Sequence, residues 1–465
     1  MGNVAVCYPQ LTITSFQKEA LVREPLPLPR GREAEELVRL LDRIRASADP
    51  PLDALEGFQA AYRAASREAR ELFFSLLLVR MEVSREVAVP RLRTVLEAPF
   101  GDPVVWTSLL TDLRRTLESP RMRAFRRFLN ISGGLKLLLD LRADVLAAGR
   151  QSGLDLAPID EEIAHLFTSW FQHGFLFLQE ITQDSSYRQI QFLKDHDMVH
   201  PMARLEEMGD RLGEDRRSFA LYHRAMPEEP IVFIEAALTR QIPRSIHEIL
   251  DNPGKRSEKD PETAIFYSIN NAQNGLVGLG LGKLLIFQVV DAIRKDRPRV
   301  RTFATLSPVT GFWGRYLRPI LRGEDEPFRL KRGDVVEYFS HSARRRILGR
   351  TKGESDFGLA LLEILSAPNW IGDRPVLEEV RRPLTQIAYF YLTEERSASG
   401  RPMNPVASFH LGNGARLHAK NVHFAANRTE RGLMDSCGIM VSYVYSSTWQ
   451  HELRRSARAI LPWRG

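Results

Sequence analysis

The stretch FYSINNAQNGLVGLGLGK, from Phe266 to Lys283, decides the fold of this chain because it joins a strand-like run to a helix through a glycine-rich loop. It opens within AIFYSI (264–269), a short apolar run rich in β-forming residues. The run GKLLIFQVVDAIRKD (282–296) then has a helical pattern that ends at charged residues before Pro298. A second strand-like run, RTFATL (301–306), follows. The order strand, glycine loop, helix, strand predicts an α/β unit.

The loop has features of a phosphate-binding site. Glycine lacks the Cβ that would keep a diphosphate away, and the helix start offers unpaired backbone N–H groups. Leu284 stands where a P-loop needs serine or threonine, and the spacing differs from the dinucleotide fingerprint. Glycines that only allow a tight turn with close packing are the alternative. The candidate binding residues are Gly275, Val277, Gly278, Leu279, Gly280, Leu281, Gly282 and Lys283.

Two later segments supply a hydroxyl and an imidazole. FATLSPVTGF (303–312) contains Ser307 at the end of a predicted strand, and NPVASFHLGNGA (404–415) contains His410 between apolar neighbours. Taken alone, the serine could cap a turn and the histidine could be a satisfied core residue. No GxSxG elbow surrounds Ser307, so hydrolase chemistry is not implied.

In this order, the three segments closely resemble the malonyl-CoA decarboxylase family, whose pattern runs YSIS-x-TQ-x-GL-x-G-x-x-LG, SLSP-x-x-GF and NPV-x-x-FHL-x-NGA. Similar wording extends over most of the chain from Phe128 onward. It includes GGLKLLLDLRADVL (133–146), WFQHGFLFL (170–178), VHPM (199–202) and SCGIMVSYVY (436–445). Collinear matches at so many places are difficult to obtain by chance.

The resemblance implies an activity and a set of roles. Malonyl-CoA would be decarboxylated to acetyl-CoA and CO2, with His410 protonating the enolate carbon and Ser307 positioning the malonyl or thioester group. Both residues would contact substrate, and Tyr445 would hydrogen-bond near the reacting group, although core packing is nearly as good an explanation for Tyr445. The glycine loop would bind the coenzyme A diphosphate. No cofactor is expected, because the thioester carbonyl is the electron sink and coenzyme A is part of the substrate.

The chain also departs from the family pattern. Asn270 and Asn271 replace the usual serine-containing wording after YSI, and Gly280 stands where animal members have an acidic residue. The stretch from Asn421 to Arg431 is longer and unfamiliar. The serine, the histidine and the glycines persist, so the same reaction is expected.

The expected fold class is α+β, an all-helical N-terminal domain followed by a GNAT-like α/β catalytic domain. Residues 1–50 form an N-terminal arm that contains the helical-looking EELVRLLDRIRA (35–46). Segments such as LDALEGFQAAYRAA (52–65) have apolar residues at helical spacing, so residues 51–181 are assigned to a helical oligomerisation domain. Residues 182–465 form the catalytic domain, which begins before the strand-like EPIVFIEAAL (229–238).

Composition sets further limits. The chain has 465 residues, 43% hydrophobic, with 65 basic and 58 acidic residues and a net charge of +7. The two cysteines provide no disulfide framework or metal cluster, which favours a reducing compartment. The apolar run LFFSLLLV (72–79) is far shorter than the roughly 18 residues of a membrane span. No secretory signal is evident, so a cytoplasmic location is expected.

Partners follow from the same observations. The basic run Arg344-Arg345-Arg346 reads as a solvated face, so neither nucleic acid nor membrane is expected as a partner. A homo-oligomer that binds malonyl-CoA and acetyl-CoA is expected. Two alternative functions remain, a GNAT-type acyl-CoA-dependent acyltransferase and a non-catalytic acyl-CoA-binding protein. The conjunction of Ser307 and His410 favours decarboxylation over the acyltransferase, and the binding protein stays an open alternative.

Overall fold

The computed structural model describes residues 31–46, 51–98, 102–251, 260–279, 281–324, 327–351 and 354–445. Gly280 and the first 30 residues of the predicted arm lie outside this set. The chain divides into two compact units, one ending at Trp170 and the other beginning at Phe171.

The first unit is built of helices, as the apolar spacing predicts. Its helices often begin at a polar residue that accepts a backbone N–H, such as Ser66, Asp102 or Ser119. The helices are α1 (Arg32–Ala46), α2 (Leu52–Ala64), α3 (Arg67–Arg80), α4 (Arg85–Leu96), α5 (Pro103–Thr116), α6 (Pro120–Arg127), α7 (Gly134–Gln151) and α8 (Ala157–Trp170). The predicted helical run 35–46 lies within α1.

An aromatic cluster forms the core of this unit. Phe58, Phe73 and Phe128 are fully buried, and the rings of Phe58 and Phe128 have centroids 5.0 Å apart. By contrast, α4 and α5 bury none of their residues. These two helices therefore present an exposed apolar surface, consisting of Val87, Val89, Leu92, Leu96, Val104, Val105 and Trp106.

The second unit contains a seven-stranded sheet in the order β1-β2-β3-β4-β5-β10-β7. Its strands are β1 (Leu176–Ile181), β2 (Arg216–His223), β3 (Val232–Thr239), β4 (Thr263–Asn271), β5 (Thr302–Thr305), β7 (Ala415–Arg416) and β10 (Val444–Tyr445). Neighbouring strands are antiparallel except β4 and β5, which are parallel. A second sheet has the order β6-β9-β8, made of β6 (Ser307–Pro308), β8 (Val422–His423) and β9 (Met440–Val441).

The second unit also contains helices, numbered in chain order. They are α9 (Tyr187–His196), α10 (Glu206–Arg211), α11 (His247–Leu250), α12 (Leu281–Asp296), α13 (Arg318–Arg322), α14 (Arg332–Glu337), α15 (His341–Leu348), α16 (Phe357–Ser366), α17 (Arg374–Thr393), α18 (Pro405–Gly412) and α19 (Glu430–Ser436). Within the described residues, none of the helices of either unit combines the length and apolarity needed to cross a membrane.

The parallel pair positions the site. The α12 helix connects β4 to β5, as a parallel crossover requires. The two strands pair as far as Phe266 and Thr305, after which β4 continues to Asn271 while the chain leaves β5 for the second sheet. Tyr267 is the extra residue of a β-bulge, because the pairing of β3 with β4 shifts between Ser268 and Phe266. A space therefore opens between the end of β4 and Ser307.

The predicted order of a helical unit followed by an α/β unit is confirmed, and the GNAT-like character of the second unit stays a prediction. The runs 229–238, 264–269 and 301–306 cover most of β3, the middle of β4 and all of β5, and the run 282–296 forms nearly all of α12. The β1 strand lies inside residues 51–181, which the sequence assigned to the helical domain, yet it pairs with β2 in the sheet of the second unit. The oligomerisation and catalytic roles of the two domains stay predictions. The basic run at 344–346 is a helix face in which Arg346 binds Glu379.

Candidate active site

A cavity of about 1000 Å³ lies in the second unit, where β4 and β5 part. Its walls come from the end of β4, the start of α12, β6, α18, α19 and the segment 198–201. Gly282, Ser307 and His410 all line it. Three segments that are far apart in the sequence thus meet at one cavity.

The position of His410 is fixed by α18. Asn404 caps this helix by accepting the N–H of Ala407 at 2.9 Å, and its side-chain amide donates to the carbonyl of Thr310 at 2.9 Å. Pro405 at the first helical position has a backbone preorganised for the helix. The cap therefore ties the helix of His410 to the loop that begins at Ser307.

His410 is buried among aromatic rings. Its Nδ1 lies 2.7 Å from the hydroxyl of Tyr445, and its ring stacks on Tyr443 at 4.7 Å between centroids. Burial lowers the pKa of His410 to about 3, because the charged form loses its hydration. Burial also raises the pKa of Tyr445, so that phenol stays protonated. The site thus holds a neutral imidazole oriented by a phenol.

Ser307 lies on β6, opposite Val441 of β9. Its side chain is half-buried and makes no hydrogen bond within the described part of the chain. The loop after it is held by the N–H of Gly311, which donates to the carboxylate of Asp435 at 2.8 Å. The backbone after Ser307 is therefore fixed, and the serine hydroxyl is available to a ligand.

The glycine loop contains one turn residue and one packing residue. Gly278 has φ of +86°, in the region that favours glycine. Gly282 is where α12 meets α18, since a Cβ there would lie 2.7 Å from the ring of Phe409, next to His410. The packing alternative thus accounts for Gly282, which helps to place the histidine.

The other predicted loop residues lie off the cavity wall. Of the described residues, Gly275, Val277, Gly278, Leu279, Leu281 and Lys283 are not among those that line it, and Gly280 is outside the described set. Tyr445 also does not line the cavity, and its hydroxyl contacts Nδ1 of His410. The roles of these residues stay predictions.

A buried polar cluster, absent from the sequence predictions, reaches the cavity through Arg211 and Asn270. Arg211 donates to Asp197 at 2.5 Å and to Glu235 at 3.0 Å. Asp197 also accepts the hydroxyl of Ser268 at 2.8 Å and the amide of Asn270 at 3.0 Å. The sign of this cluster in the sequence was Glu235, an acidic residue inside the apolar run 229–238, because a buried carboxylate needs a partner.

Asn270 uses both ends of its amide in this cluster. Its Nδ2 also donates to Ser268 at 2.7 Å, and its Oδ1 accepts the backbone N–H of Met198 at 2.9 Å. It thereby joins the end of β4 to the segment 198–201, which carries His200 on the cavity wall. The departure at Asn270 is thus a structural link.

The charges in the cluster differ in their environment. Burial would raise the pKa of Asp197, but the backbone N–H of His200 and the Arg211 guanidinium outweigh it and hold the pKa below its ordinary value. Burial raises the pKa of Glu235 to about 7 despite Arg211. The pKa of His200 falls to about 4, chiefly through burial. Desolvated polar groups thus lie at and behind this part of the cavity wall.

Comparison with known families adds to this geometry. Residues 174–454 match the model of the malonyl-CoA decarboxylase C-terminal domain, and residues 91–171 match that of its N-terminal domain. The chain belongs to the malonyl-CoA decarboxylase family.

Relatives in the malonyl-CoA decarboxylase family include two curated proteins. The chain is 34% identical over 341 residues to the mitochondrial malonyl-CoA decarboxylase of Anser anser anser, which is 72% of this chain and 66% of the goose protein. It is 32% identical over 336 residues to that of Rattus norvegicus, 70% of this chain and 65% of the rat protein. The matched region thus spans slightly less than two thirds of these relatives.

Solved structures of the malonyl-CoA decarboxylase family are also similar. The malonyl-CoA decarboxylase of Rhodopseudomonas palustris has a TM-score of 0.74 and 29% identity, covering 91% of this chain and 95% of that one. The malonyl-CoA decarboxylase of Agrobacterium vitis has a TM-score of 0.74 and 30% identity, covering 90% and 95%. The family likeness therefore extends over both units.

Proposed function

We propose that the protein decarboxylates malonyl-CoA to acetyl-CoA and CO2. The observation that carries this proposal is that Ser307 and His410 line one cavity, in a chain of the malonyl-CoA decarboxylase family. The bond between C2 and the carboxylate breaks, its electron pair passes to the thioester as an enolate, and C2 takes a proton. The thioester carbonyl receives the electrons, so we expect the reaction to need no cofactor.

His410 is the proposed proton donor. The hydrogen bond to Tyr445 occupies Nδ1, which leaves Nε2 as the ring nitrogen for the substrate. An anionic substrate next to the ring would favour the protonated imidazole and raise its pKa above the value of the empty site. His410→Ala should reduce turnover roughly 100-fold or more, the scale for losing a positioned general acid, with folding intact. Near-normal turnover would remove His410 from the mechanism.

Ser307 is the proposed contact to the malonyl carboxylate or thioester oxygen. Its hydroxyl has no side-chain partner within the described residues, so binding substrate displaces no protein hydrogen bond. A donor aimed at the thioester oxygen is worth most in the transition state, where that oxygen gains negative charge. Ser307→Ala should therefore lower kcat more than it raises KM.

The glycine loop is the proposed site for the coenzyme A diphosphate. Lys283 follows the loop, is exposed and has no ion-pair partner within the described residues. Lys283→Gln is a cleaner test than a substitution of Gly278, because any side chain at φ of +86° is strained with or without ligand. Equal weakening of acetyl-CoA and malonyl-CoA binding is expected, whereas unchanged binding of both would exclude Lys283.

The deciding assay is incubation of the purified chain with malonyl-CoA, without metal and with or without an acceptor amine. Acetyl-CoA and CO2 formed without the amine would support the proposal. An acetylated amine formed only with the acceptor would indicate an acyltransferase, and binding without turnover would indicate an acyl-CoA-binding protein. Either of the last two results would refute decarboxylation.

The biological setting is also a proposal. The exposed apolar surface of α4 and α5 fits a homo-oligomer, because large exposed apolar patches often mark interfaces. We propose that the protein is a cytoplasmic enzyme of fatty acid metabolism, whereas the goose and rat relatives are named as mitochondrial enzymes. Fractionation of the source cells, with detection of this chain, would decide the compartment.

A further inference from the structure

The cavity wall carries one arginine that differs from the other two. Arg211 is bound to Asp197 and Glu235, and Arg216 is bound to Asp215. Arg431 also lines the cavity, is exposed, and has no ion-pair or hydrogen-bond partner within the described residues. Its guanidinium is therefore available to an anion that enters the cavity.

The start of α19 holds Arg431 on a firm backbone. Thr429 caps the helix by accepting the N–H of Gly432 at 3.1 Å, and the side chain of Asn427 accepts the hydroxyl of Thr429 at 2.7 Å. Asn427 also lies against Gly432, where a Cβ would come within 2.4 Å of it. The backbone that carries Arg431 is thus fixed by the helix cap and by the packing of Asn427 before any ligand binds.

The helix also directs Arg431 toward the reacting groups. Asp435 is one turn further along α19, so the two residues share a helix face, and both line the cavity. Asp435 accepts the N–H of Gly311, in the loop that begins at Ser307. Arg431 therefore lies on the helix face that contacts this loop.

His200 lines the same cavity as Arg431, on the segment 198–201. Burial is the main reason for the low pKa of His200, and the positive charge of Arg431 contributes to it, as does Arg211. The cavity is also lined by carboxylates, those of Glu207, Asp210, Asp251 and Asp435. Because Arg211 and Arg216 are already paired, Arg431 is the group on this wall that an incoming carboxylate is expected to bind.

We propose that Arg431 binds the free carboxylate of the substrate and so selects malonyl-CoA over acyl-CoA molecules that lack a terminal carboxylate. This inference rests on the proposed decarboxylation. An exposed arginine suits the task because the carboxylate must lose its charge in the transition state. A tight, fully desolvated ion pair would stabilise the reactant more than the transition state and slow the reaction.

The test compares affinities for malonyl-CoA and acetyl-CoA, which differ only in the carboxylate. Calorimetry is run on the full chain with His410→Ala, so that malonyl-CoA is not consumed, and Arg431→Gln is added to it. The second change should weaken malonyl-CoA binding roughly two- to fivefold, the upper part of the range for an exposed ion pair, and leave acetyl-CoA binding unchanged. Arg431→Lys should retain part of the preference.

Arg428→Gln is the matched control, because Arg428 is an exposed arginine three residues away that does not line the cavity. It should change neither affinity. Equal weakening of both ligands by Arg431→Gln would assign Arg431 to the coenzyme A phosphates and overturn the proposal, as would no change at all. Absence of turnover in the unmodified chain would refute decarboxylation but would not affect this comparison, which needs binding only.

Discussion

Tyr445→Phe removes the hydroxyl that lies 2.7 Å from Nδ1 of His410 and leaves the aromatic ring in place. The buried Nδ1 would then lose its partner, which costs about 1–3 kcal/mol for an unsatisfied buried polar atom. If the whole loss appears in the transition state, kcat falls roughly 5- to 150-fold. KM should change little, because Tyr445 does not line the cavity.

Tyr443→Phe is the control for this experiment. Tyr443 is a buried tyrosine that also contacts the ring of His410, but its hydroxyl has no hydrogen-bond partner within the described residues. Removing that hydroxyl should leave stability and kcat unchanged or slightly improve stability. Steady-state kinetics and urea unfolding of both variants are the assays.

Either of two results would refute a catalytic contribution from the Tyr445 hydroxyl. One is Tyr445→Phe with kcat within about twofold of the unmodified chain, since the hydrogen bond would then contribute less than about 0.5 kcal/mol to the transition state. The other is an equal loss in Tyr443→Phe, which would show that the aromatic packing around His410, rather than the hydrogen bond to Nδ1, sets the rate.

Three further predictions follow from packing, charge and exposure. Gly282→Ala should lower the free energy of unfolding by about 1–3 kcal/mol and lower kcat, because the new Cβ displaces the Phe409 ring. Gly412→Ala is the control and should do neither, because a Cβ there would have no atom within 4 Å. Equal thermal unfolding of the two variants would contradict this. The pKa of His410 is about 3 in the folded chain and about 6.5 in the unfolded chain, so the unfolded chain is the first to take up a proton on acidification. The contribution of this residue to the free energy of unfolding is therefore complete above about pH 6.5 and is lost as the pH falls. His410→Gln should therefore reduce the loss of unfolding free energy between pH 7.5 and pH 5 by about 2 kcal/mol, and an unchanged urea-unfolding difference would be inconsistent with the burial of a neutral ring. Trp106→Glu on the exposed surface of α5 should reduce the mass measured by light scattering if that surface joins subunits, and an unchanged mass would exclude this surface. A point substitution is more suitable than removal of residues 1–181, because that truncation would also remove β1 from the sheet.

The sequence was most informative where the pattern was local. The glycine loop, the helix after it and the strands on either side are set by neighbouring residues, and they were predicted with nearly correct bounds. Ser307 and His410 were found through their motifs. The β1 strand was missed because its identity depends on pairing with β2, which lies beyond two helices.

Long-range contacts account for the rest. Asn270 and Asp197 are 73 positions apart in the chain, so nothing in either neighbourhood indicates that they bond. The need for glycine at 282 comes from Phe409, on a different helix. Arg431 has the composition of an ordinary surface residue, and only the fold shows that it lines the cavity.

The two contacts of the Asn270 amide have a consequence for substitutions at this position. Its Nδ2 donates to Asp197 while its Oδ1 accepts the backbone N–H of Met198, so two different atoms of one side chain hold two groups. A serine would have to serve both groups through a single oxygen on a shorter side chain. Asn270→Ser should therefore loosen the segment 198–201 and, with it, the position of His200 on the cavity wall.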